Sequence, residues 1–207
     1  MIVDELFFRT IFSLLYGTLI LCLAPARFRG GKWHGFGLKD RSVKYLVALI
    51  IFAPLWWSGM VLYILLPNSI ILLSIPLPAW FRLIMAGVAS SVMPFLIWAF
   101  RTIGKNWVHA LEPSQFMKRT DNVLVTNGPY RYVRHPLYAS ALTLVISLAL
   151  VASNWLLLLP AIAFVGLICT QIPKEEEMLA NRFGDEYRKY MESTPRFVPK
   201  LKWTVLE

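Results

Sequence analysis

Charge is scarce in this chain. Only 16% of its 207 residues are Asp, Glu, Lys or Arg, against about a quarter in an ordinary soluble domain, while 57% are hydrophobic. That balance excludes a disordered chain, which needs low hydrophobicity, and it argues against a water-soluble globule. Cysteine is nearly absent. Cys22 and Cys169 lie in apolar stretches with no C-x-x-C and no zinc spacing, so they read as small hydrophobes. His34, His109 and His135 lack metal-ligand spacing, so no metal is expected. There is no G-x-G-x-x-G after a strand and no Walker A sequence. No nucleophile, acid or base can be named from spacing, and the catalytic residues are left open. The basic opening of a secretory signal peptide is missing too, because the first nine residues carry Asp4, Glu5 and Arg9.

What is present is apolar sequence in long runs. Thr10–Ala26, Tyr45–Phe81, Leu83–Phe100 and His135–Pro173 contain no charged residue, and together they make more than half the chain. A helix needs about 20 apolar residues to cross a hydrocarbon core of about 30 Å. The runs predict an all-α polytopic membrane bundle of about five spans, at roughly 6–24, 45–66, 80–100, 137–153 and 155–172. The last two are short for full crossings and meet at a Ser153-Asn154 turn, so a re-entrant hairpin and a tilted pair are both open. The chain reads as one domain, with three spans in residues 1–100 and a motif-rich region in 101–200.

The net charge of +9 takes its meaning from position. Of the 21 Lys and Arg residues, 19 fall in the 25–44 loop, the 101–134 segment and the tail from Lys174. Five spans put these three segments on one face, which the positive-inside rule makes cytoplasmic, with the N-terminus outside and the C-terminus inside. The excess is therefore a topology signal and no nucleic-acid partner is expected. Membrane lipids are the expected surroundings. The Gly-rich 25–44 loop fits an ordinary inside loop, with contact to anionic headgroups as the alternative.

Polar and aromatic groups are densest in the two large inside segments. Asn127-Gly128-Pro129 carries strong turn chemistry, and Arg134 and His135 follow among tyrosines. Pro136 suits the first turn of a helix, whose start offers N–H groups and a positive dipole end. Glu175, Glu176 and Glu177 follow the fifth span directly. They fit a solvated helix start or the recognition of a cation or a ribose diol. Met178, Leu179, Phe183, Tyr187, Tyr190 and Met191 recur at near-helical spacing and predict an amphipathic C-terminal helix that packs on the membrane or the bundle.

In order along the chain, Gly128-Pro129-Tyr130, Arg134-His135-Pro136-Leu137-Tyr138, a two-helix hairpin, Pro173-Lys174-Glu175-Glu176, Phe183-Gly184 and Pro195-Arg196-Phe197-Val198-Pro199 resemble the isoprenylcysteine carboxyl methyltransferase family, and its small five-span prokaryotic members most. The Gly104-Lys105-Asn106-Trp107 stretch fits the same set. The resemblance implies S-adenosylmethionine as methyl donor and a lipophilic acceptor, either the carboxylate of a prenylcysteine-like compound or another lipid. It implies donor binding by Arg134, His135, Pro136, Leu137, Tyr138, Glu175 and Glu176. Gln171, Arg196, Asn106 and Trp107 fall on the acceptor side. One departure concerns Gln171, which stands where the family usually has an arginine linked to the acceptor carboxylate. A neutral amide does not replace a charged bidentate fork. Ser140, where many relatives carry Gly, is a smaller departure. Two other readings remain: an NADPH-dependent reductase of the sterol-reductase type, which shares R-H-P-x-Y, and an inactive protein on the same scaffold.

Overall fold

The computed structural model describes residues 2–29, 51, 53–66, 71–104 and 123–199. Regular structure among them is helical. Helix α1 is Ile2–Arg29, α2 is Ala53–Leu65, α3 is Ala79–Ile103, α4 is Pro136–Ala152, α5 is Trp155–Phe183 and α6 is Asp185–Ser193. A short 3-10 helix, Gly128–Arg131, precedes α4.

Two of the described helices, α3 and α5, are long and apolar enough to cross a membrane. Helices α2 and α4 are apolar but shorter, with 13 and 17 residues. At 1.5 Å per residue α4 reaches about 25 Å, less than a full hydrocarbon core. Helix α5 is longer than its apolar part. Its charge-free stretch stops at Pro173, so the turns from Lys174 to Phe183 project past the apolar zone and carry Glu175 and Glu176 with them.

The bundle packs α3 against α4, with α1, α2 and α5 around them. The core joins Phe8 and Phe12 of α1, Met60 and Tyr63 of α2, Met93 and Leu96 of α3, and Leu144 and Leu148 of α4. Side chains pointing away from it stay apolar and exposed, as Leu21, Trp57, Trp80 and Leu159 are. That is what a bundle with a lipid-facing exterior requires.

The Ser153-Asn154 turn closes the α4–α5 hairpin. Ser153 takes a left-handed φ of 54°, and the Asn154 side chain caps α5 by accepting the Leu156 N–H at 2.9 Å. The segment after α2 docks on this turn, where the Ser153 hydroxyl donates to the Ile75 carbonyl at 2.6 Å. Nearby, Arg82 at the start of α3 is buried. Its guanidinium donates to Glu5 at 2.8 Å and to the Val151 carbonyl at 2.8 Å, and lies 3.8 Å over the Phe8 ring. Arg82 thereby ties α1, α3 and α4 at one end of the bundle. The other end of α3, about 30 Å away at 1.5 Å per residue, borders the polar region described next.

Candidate functional site

The polar end is assembled from three pieces of chain. The 3-10 turn comes first. Gly128 has φ of 57°, and a Cβ there would lie 2.9 Å from the Thr102 hydroxyl of α3. Glycine is needed at this point for both backbone conformation and space, and it seats the turn against the end of α3. The second piece is the start of α4. Here Arg134 and His135 form two backbone bonds with the segment after α6, Arg134 N–H to the Pro195 carbonyl at 2.8 Å and His135 N–H to the Arg196 carbonyl at 3.1 Å. The third is the end of α5 with α6, divided at Gly184, whose φ is 57°.

That division corrects the expectation of a single amphipathic helix. Met178, Leu179 and Phe183 belong to α5, whereas Tyr187 and Tyr190 belong to α6 and are its buried face. The Tyr190 hydroxyl donates to the Tyr130 carbonyl at 2.5 Å, which fastens α6 to the 3-10 turn. The start of α4 is also less open than the sequence suggests, because Arg196 already occupies the His135 N–H.

Glu176 is the centre of a buried ion cluster. Arg134 donates to its Oε1 through Nη2 at 2.8 Å and through Nε at 3.1 Å, and His135 Nε2 lies 3.1 Å from the same oxygen. Arg196 donates to Oε1 through Nε at 3.2 Å and to Oε2 through its other arm. Burial by itself would raise the Glu176 pKa. The bonds from His135, Arg196 and Arg134 overcome that and hold the carboxyl well below the usual carboxylate range. The same pairing raises the Arg196 pKa. The remaining nitrogen of Arg134 donates to the carbonyls of Met191, at 2.9 Å, and Thr194.

Beside the cluster lies a cleft between the end of α3, the start of α4, the end of α5 and α6. Tyr130, His135, Leu137, Tyr138, Glu175 and Tyr187 are among its lining residues. The His135 and Tyr138 rings stack with centroids 5.7 Å apart. Five buried side-chain atoms among the described residues have no hydrogen-bond partner, and three of them, the Tyr130 and Tyr187 hydroxyls and Glu175 Oε2, belong to this cleft. Buried polar atoms are nearly always paired, and exceptions call for an explanation such as a missing ligand. Burial raises the Glu175 pKa, opposed by the nearby His135 charge and a bond from Tyr138, with Glu176 adding to the rise. Burial likewise raises the phenol pKa values of Tyr130, Tyr187 and Tyr190.

The predicted site residues divide into groups. Leu137, Tyr138 and Glu175 line the cleft. Arg134 and His135 line it and also serve the cluster, and Glu176 and Arg196 serve the cluster alone. Pro136 is buried at the first position of α4. Gln171 is buried one turn before Glu175, with Nε2 unpartnered. Asn106 and Trp107 lie outside the described residues, as do His34 and His109. From the sequence Tyr130 appears only within a motif and Tyr187 only as a packing residue, and neither is given a ligand-binding role. A usable signal was there for Tyr187 and Tyr190, because they are three residues apart in a segment whose other positions are mostly charged or polar. No group of three His, Cys, Asp or Glu among the described residues could hold a metal ion.

The sequence profile of the isoprenylcysteine carboxyl methyltransferase (ICMT) family matches residues 83–181, from α3 through the three adjacent glutamates of α5. Residues 83–181 are thus similar to that family over just under half of the chain. The cobalt-zinc-cadmium resistance protein CzcN of Cupriavidus metallidurans is 37% identical over 112 residues, half of each chain. The protein-S-isoprenylcysteine O-methyltransferase of Dictyostelium discoideum is 32% identical over 110 residues, 50% of this chain and 43% of that one. The chain thus spans about half the length of the curated relatives it matches. The solved structure of the eukaryotic intramembrane Ras methyltransferase ICMT shares the fold, with a TM-score of 0.56 at 20% identity, covering 92% of this chain and 64% of that one. The matched segment holds Arg134, His135 and Glu176 and most of the cleft lining, while Phe183, Tyr187 and Tyr190 of the cleft lie beyond it.

Proposed function

We propose that the chain is an S-adenosylmethionine-dependent membrane methyltransferase acting on a lipophilic acceptor. The observation that carries this reading is the set of unpartnered buried atoms, Glu175 Oε2 and the Tyr130 and Tyr187 hydroxyls, gathered in one cleft whose lining falls mostly, though not at Tyr187, in the family-matched segment. The donor, when bound, supplies an electrophilic methyl group on a sulfonium. It also has an amino group and a ribose diol, and an unpartnered carboxylate and two phenols suit such groups. Glu175 would hold a cationic or hydroxyl group of the donor, and Tyr130 and Tyr187 would hydrogen-bond to it. His135 and Tyr138 present a stacked aromatic wall for a flat ring.

The residues around the cleft fix its shape. Glu176, held by Arg134, His135 and Arg196, locks the start of α4 onto the end of α5. Leu137, Met178, Leu179 and Phe183 give the cleft an apolar lining. Transfer by in-line displacement needs alignment and a dry surround more than it needs a metal or a covalent intermediate. We place the cleft on the cytoplasmic face of the membrane, with the N-terminus outside and the C-terminus inside. The distribution of Lys and Arg supports that orientation.

Titration calorimetry of the detergent-solubilised chain with S-adenosylhomocysteine tests this reading, with NADPH as the opposing ligand. Micromolar or tighter binding of the homocysteine compound, weakened at least tenfold in His135→Ala, is expected. Binding of NADPH alone would overturn the reading in favour of a reductase.

A further inference from the structure

The end of the bundle opposite the cleft carries an apolar knob. Ile71, Leu72 and Leu73 form a short 3-10 turn between α2 and α3, and all three side chains are exposed, Leu72 to 96%. Trp80 at the start of α3 and Trp155 at the start of α5 are exposed at the same end. Contiguous exposed apolar surface marks a contact with a membrane or a partner, and the sequence has no charged residue anywhere from Tyr45 to Phe81. The backbone that follows the knob does not rely on water for its donors. From Ser74 to Pro78 every N–H is bonded or missing. Ser74 donates to the Ile71 carbonyl at 3.1 Å, Ile75 to the Ser153 carbonyl at 2.6 Å and Leu77 to the Ile75 carbonyl at 2.8 Å, while Pro76 and Pro78 have no N–H. An unpaired backbone group taken out of water costs free energy, and this segment removes that cost for its donors.

We propose that Ile71, Leu72 and Leu73 are a membrane anchor, whose side chains enter the acyl region of the leaflet opposite the cleft while the backbone of 71–78 lies at the headgroup boundary. A lipid surface fits this knob better than a second chain does. It stands beside the starts of α3 and α5, where Leu83, Ile84, Leu159 and Ile162 belong to the same exposed apolar exterior. Trp80 and Trp155 flank it, and tryptophan is the side chain that collects at the headgroup level. The anchor also fits the short hairpin. Helix α4 is about 25 Å long, so with its start at one surface its end stops short of the other side of a core of about 30 Å. Residues 71–75 cover that end. Ser153 and Asn154 are buried, the Ser153 hydroxyl donates to the Ile75 carbonyl, and Ser74 pairs with Asn154 in a single β-bridge. The turn therefore does not have to reach water, and the anchor holds it at the membrane boundary. This inference concerns the lipid contact alone and is independent of the methyltransferase reading.

The experiment uses the full chain in phosphatidylcholine nanodiscs, with Cys22 and Cys169 replaced by alanine and one nitroxide-labelled cysteine introduced at a time. Leu72→Cys reports on the knob, Leu159→Cys on the exposed apolar side of α5, and Arg188→Cys on the exposed face of α6. Ile71→Cys repeats the reading if the Leu72 variant fails to fold. Relaxation of the label by oxygen, which concentrates among acyl chains, is compared with relaxation by a water-soluble nickel chelate. The oxygen-to-nickel ratio at Leu72 is expected to exceed that at Arg188 at least threefold, as the ratio at Leu159 should. A smaller excess at Leu72 would place the knob in water and overturn the proposal. Shielding of the Leu72 label from both reagents would overturn it too, and spin–spin broadening in that case would assign the surface to a second copy of the chain.

Discussion

Glu175 and Glu176 are neighbours on α5 and have opposite surroundings. Glu176 bonds Arg134, His135 and Arg196, whereas Glu175 presents a buried, unpartnered oxygen to the cleft. Adjacent positions on a helix point about 100° apart, so one turn supplies both a carboxyl for the cluster and one that faces the cleft. Removing one partner of a buried ion cluster strands the others. Glu176→Ala is therefore expected to cost about 3 kcal/mol and lower the Tm visibly. Glu175→Ala removes no partner from the cluster, so it should leave the ligand-free Tm unchanged or higher and weaken S-adenosylhomocysteine binding at least tenfold. Thermal scans and calorimetry on the two variants check this, and equal Tm losses would refute the division of roles.

The same cluster sets an acid limit. The folded-state pKa of Glu176 lies below its unfolded value near 4.3. Its contribution to stability is thus fully present above that value and is lost as pH falls through the folded pKa. Tm should fall progressively below about pH 4.3. Glu176→Gln should start lower and show a flatter acid limb. Parallel limbs in parent and variant would place the acid-sensitive group elsewhere.

Gly128 joins the 3-10 turn to α3. Alanine at φ of 57° costs about 1–2 kcal/mol, and its Cβ would sit 2.9 Å from the Thr102 Oγ1 and 3.0 Å from its Cγ2. Gly128→Ala should destabilise by more than the backbone term alone. Adding Thr102→Ala removes both clashing atoms, and the pair should recover part of the loss. Strict additivity in this double-mutant cycle would show that the contact does not matter.

Gln171→Arg tests whether position 171, where the sequence has a neutral amide, acts on the cleft. A guanidinium four residues before Glu175 lies on the same helix face. An opposite charge there favours ionised Glu175 and lowers its pKa. By calorimetry, the acid limb of S-adenosylhomocysteine affinity should move to lower pH, and affinity for the carboxylate N-acetyl-S-farnesylcysteine should rise at least fivefold. No change in either quantity would show that position 171 does not communicate with the cleft.

Much of this was legible in the sequence because hydropathy and turn chemistry are local. The runs Thr10–Ala26 and Leu83–Phe100 fall within α1 and α3, His135–Pro173 covers α4 and most of α5, and Ser153-Asn154 and Gly128-Pro129 are turns, whereas the run Tyr45–Phe81 lies partly outside the described residues. The site was legible only as a set of residues. Arg134, His135, Glu175 and Glu176 are found together, but their division into cluster and cleft depends on how α5 is rotated against α4, which spacing does not encode. Arg134 and Arg196 appear in the sequence as available cations. Their engagement by Glu176 is a long-range contact spanning 42 and 20 residues. Tyr130 and Tyr187 were missed because a tyrosine in an apolar pattern reads as packing. Their unpartnered hydroxyls are visible only once every neighbour is placed.

Arg82 provides the last test, at the opposite end of the bundle. It is buried, with bonds to Glu5, Tyr63 and Val151 and the Phe8 ring beneath it. Arg82→Ala deletes all of these and leaves the Val151 carbonyl and the Tyr63 hydroxyl short of a donor, so a loss of about 3 kcal/mol is expected. The cleft begins about 30 Å along α3, and effects at that separation are normally independent. S-adenosylhomocysteine affinity of the folded fraction should therefore stay within about twofold of the parent. A tenfold change would mean that the two ends of the bundle are coupled through α3 and α4, and that the packing of the spans tunes the site.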